Sequence, residues 1–179
     1  GCKLDTMPVF EGEQGRGKST ALQVLVGQHW FAEASESLLS KDFFQSLQGK
    51  WLIEIAEMDA FSRAEVTAVK RVITCRTDRF RPPYGRRVED HPRMCVFAGT
   101  TNRDDWHRDE TGARRFWPVT VADVDLEWLA RWRDALFAEA VTLYRQGASW
   151  WNVPAEDAKR EQDARRSVDE WEGVVSDFL

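Results

Sequence analysis

Gly12-Glu13-Gln14-Gly15-Arg16-Gly17-Lys18-Ser19, followed by Thr20, fits the pattern G-x-x-x-x-G-K-[ST] at every fixed position. The chemistry it suits is phosphate binding. Glycines let a backbone turn tightly, so that successive N–H groups point inward at phosphate oxygens. A helix beginning near Lys18 adds the positive end of its dipole. Lys18 is then a point charge for the β- and γ-phosphates, and the Ser19 hydroxyl is a ligand for Mg²⁺. ATP and Mg²⁺ are the expected ligands.

Hydrolysis needs a carboxylate beside the metal and the attacking water, at the carboxyl end of a neighbouring strand. The run Trp51–Ala56 (WLIEIA) leads into Glu57, the best-placed candidate for water or metal. Glu54 lies inside the run, where a carboxylate is costly unless paired or metal-bound. Asp59 is a third candidate. A second run, Met94–Ala98 (MCVFA), leads into Gly99-Thr100-Thr101-Asn102, and an amide there can bond the γ-phosphate or orient water. Paired arginines, Arg114 and Arg115, precede Phe116-Trp117-Pro118 and suit charge stabilisation in a phosphoryl-transfer transition state. A structural ion pair or a turn is the competing reading for each of these groups.

Charge is unevenly placed. The 179 residues carry 25 basic and 30 acidic side chains, a net −5, which argues against a generally cationic nucleic-acid binder. Yet Lys70 to Arg87 holds Lys70, Arg71, Arg76, Arg79, Arg81, Arg86 and Arg87 against a single acid, Asp78. That local +6 is a partner signal, and it surrounds Pro82-Pro83-Tyr84-Gly85, a strong turn. A hairpin or projecting loop is expected, with arginines for a phosphate backbone and Tyr84 for stacking on a base of single-stranded DNA.

The elements that must carry these groups alternate. Met7–Phe10 reads as a buried strand, Gly12–Thr20 as a loop, and Ser19–Val26 as a helix start. Lys41–Leu47 is helical, and Trp51–Ala56 is a strand. Ser62-Arg63-Ala64-Glu65 is a capping box, with Val66, Val69 and Ile73 on one face. Met94–Ala98 and Phe116–Val121 are strands. Leu126–Tyr144 is a helix with Leu129, Trp132, Leu136, Ala140 and Leu143 on one face, and Trp117, Trp128 and Trp132 are expected in a core. Strands alternating with helices predict an α/β domain with a mostly parallel sheet over residues 1–153. Residues 154–179 predict a helical segment on or beyond it, striped by Ala164, Val168, Trp171, Val175 and Phe178.

Composition closes off other classes. With 42% hydrophobic and 31% charged residues the chain is neither disordered nor membrane-spanning. Three cysteines without a CxxC pair give no disulfide framework and no zinc site, and free thiols fit the cytoplasm. No signal peptide is read at the start, and the Gly-Cys opening reads as a domain cut from a longer protein.

Together, Phe10–Ser19, Glu54–Asp59, Arg81–Arg86, Phe97–Asn102, Thr111–Pro118 and Trp150-Trp151 resemble the virulence-associated protein E family of phage and genomic-island proteins. That family looks like the ATPase part of superfamily 3 primase–helicases, within the AAA+ class of P-loop proteins. The resemblance implies Lys18 and Ser19 as nucleotide and Mg²⁺ ligands, Glu57 as the second-motif acid and Asn102 as the sensor. It implies Arg114 or Arg115 as a finger acting on a neighbouring subunit of a homo-oligomer, possibly a hexameric ring in the full-length protein. It also implies that the Lys70–Arg87 hairpin contacts DNA. Two other classes remain: a small-molecule kinase with Arg114 and Arg115 as lid arginines, and a nucleotide-gated interaction module.

Overall fold

The computed structural model describes residues 4–106, 113–149 and 153–165. Five strands form one parallel sheet: β1 (Met7–Glu11), β2 (Phe31–Glu33), β3 (Leu52–Ile55), β6 (Val96–Thr101) and β7 (Phe116–Thr120). Their spatial order is β2-β3-β6-β1-β7. Glu11 lies beside Thr101 on one side and Thr120 on the other, so three polar residues end three adjacent strands together. A separate antiparallel pair, β4 (Thr77–Phe80) and β5 (Glu89–Pro92), forms the expected hairpin.

Alternation sorts the strands' side chains between two faces. Met7, Val9, Ile53, Ile55, Phe97 and Phe116 join Phe43, Leu47, Val66, Val69, Val72 and Ile73 in the larger core, under α2 (Lys41–Ser46) and α3 (Arg63–Thr74). Leu52 and Ala98 face Leu22 and Val26 of α1 (Lys18–Val26), with Phe10 and Val96 packed beside them. Strand β3 is buried along its whole length, as a central parallel strand must be.

The capping box is present: Ser62 Oγ accepts from the Glu65 N–H, and Glu65 accepts from the Ser62 N–H at 2.7 Å. Helix α3 buries Val66, Val69, Val72 and Ile73. Three expectations need correction. Strand β6 runs Val96–Thr101, so Gly99, Thr100 and Thr101 are part of it, because pairing with β1 continues to the end of β1. Cys95, by contrast, precedes the strand. Helix α4 (Leu126–Arg145) forms, but it buries none of Leu129, Trp132, Leu136, Ala140 or Leu143. It rests on α1 through its N-terminal part, where Arg133 Nε donates to the Leu25 carbonyl at 2.7 Å. From Asp134 to the end of α4 every residue is exposed, and Trp128 and Trp132 are about half exposed rather than core. Periodicity shows that a face is apolar, not that the described residues cover it. Trp117 is half-buried in β7.

Helix α5 (Ala155–Ala164) packs on β7 and the turn before it, and buried Gln162 Nε2 donates to the Phe116 carbonyl at 3.0 Å. Most of the predicted C-terminal stripe (Val168, Trp171, Val175 and Phe178), and also Trp150-Trp151 and Thr111-Gly112, lie outside the described residues. No helix among the described residues is long and apolar enough to cross a membrane.

Candidate functional site

The loop between β1 and α1 turns where glycine is required. A Cβ on Gly12 would stand 2.3 Å from the Val121 carbonyl oxygen, so no side chain fits there. Gly17 caps α1 in the left-handed region (φ 81) and offers no side-chain bond to the helix N-terminus. Helices α2, α3 and α4 instead take caps from Ser40, Ser62 and Asp125. The first N–H groups of α1 therefore open on the loop's cleft. The loop's tip is tied down by Arg16, which pairs with Glu13 and donates to Asp123 at 2.6 Å.

Lys18 is nearly buried beneath the loop. Its Nζ donates to the carbonyls of Gly12 (2.5 Å) and Glu13 (2.8 Å) and to Asn102 Oδ1 (3.2 Å). Burial lowers the ammonium's pKa, while the charges of Asp59 and Glu54 pull it back up. Asn102 is itself positioned: its N–H donates to Asp59 Oδ1 at 3.3 Å, and Thr101 Oγ1 donates to the same oxygen at 2.9 Å.

Ser19 Oγ donates to Glu54 Oε1 at 2.6 Å, and Thr100 Oγ1 donates to that oxygen at 2.7 Å. Glu54 is 1% exposed, and its Oε2 is buried without a hydrogen-bond partner among the described residues. The carboxylate in contact with Ser19 is thus Glu54, from the middle of β3. Glu54 shares a strand face with Leu52, which packs on α1, and this turns it toward Ser19. Glu57 lies past the strand's end, exposed, with left-handed backbone (φ 53), an uncommon conformation for a glutamate. It lines the same cleft of about 340 Å³ as Gln14 to Thr20, Thr100, Thr101 and Asn102. The structure therefore separates two carboxylates: one buried against the Ser19 hydroxyl, one on the open rim.

Arg114 and Arg115 stand elsewhere. They end just before β7, whose first residue pairs with Met7 and whose last pairs with Glu11. They lie at the opposite end of the sheet, roughly 15 Å along the strands from the chain's own loop. Arg115 Nε is buried without a partner among the described residues, and Arg114 is exposed.

The hairpin projects Arg76, Arg79, Arg81, Arg86 and Arg87 into solvent, as α3 does Arg71, whereas Lys70 is half-buried. Tyr84 sits at the turn, fully exposed, with φ 62. Asp78, the acid within this stretch, is buried in a bidentate pair with Arg93, whose Nη1 also donates to the Val72 carbonyl at 2.9 Å. Arg79 faces Asp90 at 3.6 Å, which leaves Arg81, Arg86 and Arg87 as the turn's unpaired cations among the described residues.

Sequence reasoning missed one group. Glu11 is 3% exposed and accepts from Thr120 Oγ1 (2.8 Å), Trp106 Nε1 (3.2 Å) and Arg165 Nε (2.9 Å). Burial pushes this carboxyl up, but the bonds from Arg165, Thr120 and Trp106 outweigh it and hold the pKa below the ordinary value. The signal was present: Glu11 has the parity of Met7 and Val9, so its side chain had to enter the core side of the sheet and find a partner.

A search of curated proteins finds no match. Among solved structures, the A-form apo structure of the NrS-1 C-terminal region (305–718) is similar at 16% identity and a TM-score of 0.49, over 92% of this chain and 35% of that one. Another apo structure of the region gives 18% identity and a TM-score of 0.48, over 98% of this chain and 43% of that one. The chain thus spans less than half the length of each of these two structures. The signature of the virulence-associated protein E-like domain matches residues 1–169, which is nearly the whole sequence, and the chain belongs to that family.

Proposed function

We propose that the chain is an ATP-binding and ATP-hydrolysing domain of a replication protein acting on single-stranded or forked DNA, a superfamily 3 helicase-like P-loop motor of the AAA+ class. The observation that carries the reading is the Ser19–Glu54 contact with a buried, unpartnered Glu54 Oε2 beside Lys18. A buried carboxylate with one free oxygen is costly, and a cation offsets that cost.

The donor set fits Mg²⁺. One carboxylate and one hydroxyl, completed by phosphate oxygens and water, is its usual protein coordination. No group of three or more His, Cys, Asp or Glu among the described residues could hold a metal without such help. Ser19 and Glu54 would hold the ion, whose charge offsets that of the β- and γ-phosphate oxygens. Lys18 leaves its carbonyl partners for the phosphates. The N–H groups of Gly15, Arg16 and Gly17 and the open end of α1 take the remaining oxygens. Glu57, on the rim, accepts a proton from the attacking water, and Asn102, fixed by Asp59, reports the γ-phosphate to β6. Arg114 or Arg115 completes the site of a second copy, since neither reaches its own loop. Arg81, Arg86, Arg87 and Tyr84 hold the DNA strand.

One observation favours phosphoryl transfer to a small acceptor instead. A cleft of about 660 Å³ adjoins the loop's cleft, shares Glu33, Ala56 and Glu57 with it, and adds Glu36 and Glu65. The two readings part on DNA dependence.

The test is the ATPase rate with and without single-stranded DNA at low salt, for the wild type, Lys18→Ala and Glu54→Gln. Lys18→Ala should lose tight ATP binding. Glu54→Gln should cut Mg²⁺-dependent turnover by about a hundredfold or more. Turnover unchanged in Lys18→Ala overturns the nucleotide reading, and a rate indifferent to DNA overturns the motor.

A further inference from the structure

Glu11 ends β1 immediately before Gly12, and it is fixed twice. Its carbonyl accepts from the Val121 N–H at 2.8 Å. Its carboxylate receives Arg165, which spans both oxygens: Nε lies 3.0 Å from Oε1 and 2.9 Å from Oε2, and Nη2 lies 2.5 Å from Oε1. Arg165 follows α5 directly and is itself mostly buried, with Nη1 on Glu161 at 2.6 Å. One planar guanidinium therefore joins the end of α5 to the residue on which the loop is hung. The next two carbonyls, Gly12 and Glu13, are those that hold Lys18.

A glycine-rich loop loses much conformational freedom when it closes on a ligand. Anchoring one end in advance reduces that loss, which is preorganisation. The anchor here is a charge-assisted, two-oxygen contact in a water-poor setting, which a lysine's point charge cannot reproduce.

We propose that Arg165 is a positioning residue of the nucleotide site, and that docking of α5 on β7 and nucleotide occupancy of the loop are one linked equilibrium. This rests on the nucleotide reading above. Linkage is reciprocal: if docked α5 favours nucleotide, nucleotide must favour docked α5 by the same factor.

The experiment uses a fluorescent ATP analogue with Mg²⁺ and amide hydrogen exchange in α5, on the wild type, Arg165→Met, Arg165→Lys and Arg93→Met. Arg165→Met should weaken analogue binding at least about tenfold, or about 1.4 kcal/mol, measured well below its melting point. Arg165→Lys should fall between it and the wild type. The analogue should slow α5 exchange in the wild type and leave it unchanged in Arg165→Met. Arg93→Met breaks a buried pair at the hairpin, so it should lower Tm yet bind the analogue as the wild type does. If Arg165→Met lowers Tm but keeps wild-type affinity, or if wild-type α5 exchange ignores the analogue, the proposal falls. If Arg165→Met does not fold, Arg165→Lys and the wild-type exchange decide alone. A wild type that binds no analogue brings down the nucleotide reading itself, a separate outcome from bound analogue with uncoupled α5.

Discussion

Glu54 and Glu11 are both strand carboxylates at most 3% exposed, and they are resolved in different ways. Glu11 has its countercharge within the chain, in Arg165. Among the described residues Glu54 receives only hydroxyl hydrogens at one oxygen and none at the other, and so has no countercharge there at hydrogen-bond distance. That difference is why Glu11 reads as structural support and why Glu54 is the proposed metal ligand. It also makes a pH prediction for Glu11. Its folded pKa is held below the ordinary glutamate value of 4.5, so its contribution to stability is full above pH 4.5 and is lost as pH falls through the folded value. Glu11→Gln should lower stability by about 1–3 kcal/mol at pH 7, because a mostly buried guanidinium loses its charged partner. The gap to wild type should narrow below pH 4.5 in urea titrations. A gap constant from pH 7 to pH 3 would show that the pair contributes no electrostatic stabilisation.

The hairpin shows how an element can be legible while the roles of its residues are not. Its turn follows from Pro82-Pro83-Tyr84-Gly85, and its charge from counting. Which arginines are free depended on cross-strand partners, since Asp90 faces Arg79 across the ladder and Arg93 withdraws Asp78 into the interior. Charge reversal of Arg86 and Arg87 to Glu should therefore weaken single-stranded DNA binding at least tenfold at low salt. It should also flatten the salt dependence by about 0.7 log units per lost contact, because fewer counterions are released. Basal hydrolysis should persist in that variant. Loss of ATPase activity together with DNA binding would mark the hairpin as a structural support. Helix α4 makes the complementary point. Its length and apolar face were readable, but its burial was not, since burial requires a second surface.

The whole molecule separates loop and arginines by the length of the parallel sheet, with α5 packed alongside. On the proposed reading, Arg114 or Arg115 of one copy serves the loop of another, since neither reaches its own. Lys18→Ala and an Arg114→Ala, Arg115→Ala double variant should each be nearly inactive alone. Mixed, they should recover hydrolysis to at least about tenfold above either. Recovery should grow faster than protein concentration. Absence of recovery in a mixture shown by sedimentation to assemble would rule out a finger in trans.

Local patterns in the chain were enough for the glycine-rich loop, the capping box, the hairpin turn and the alternation of strands and helices, because each depends on residues within a few positions of one another. The partnership of Ser19 with Glu54 depends on which face of β3 receives α1. The placing of Arg114 and Arg115 at the far end depends on β7 running parallel to β1. The Glu11–Arg165 contact joins residues 154 positions apart. These are contacts between elements, and no spacing within one element encodes them: alternation assigns a side chain to a face, but only packing says what stands on that face.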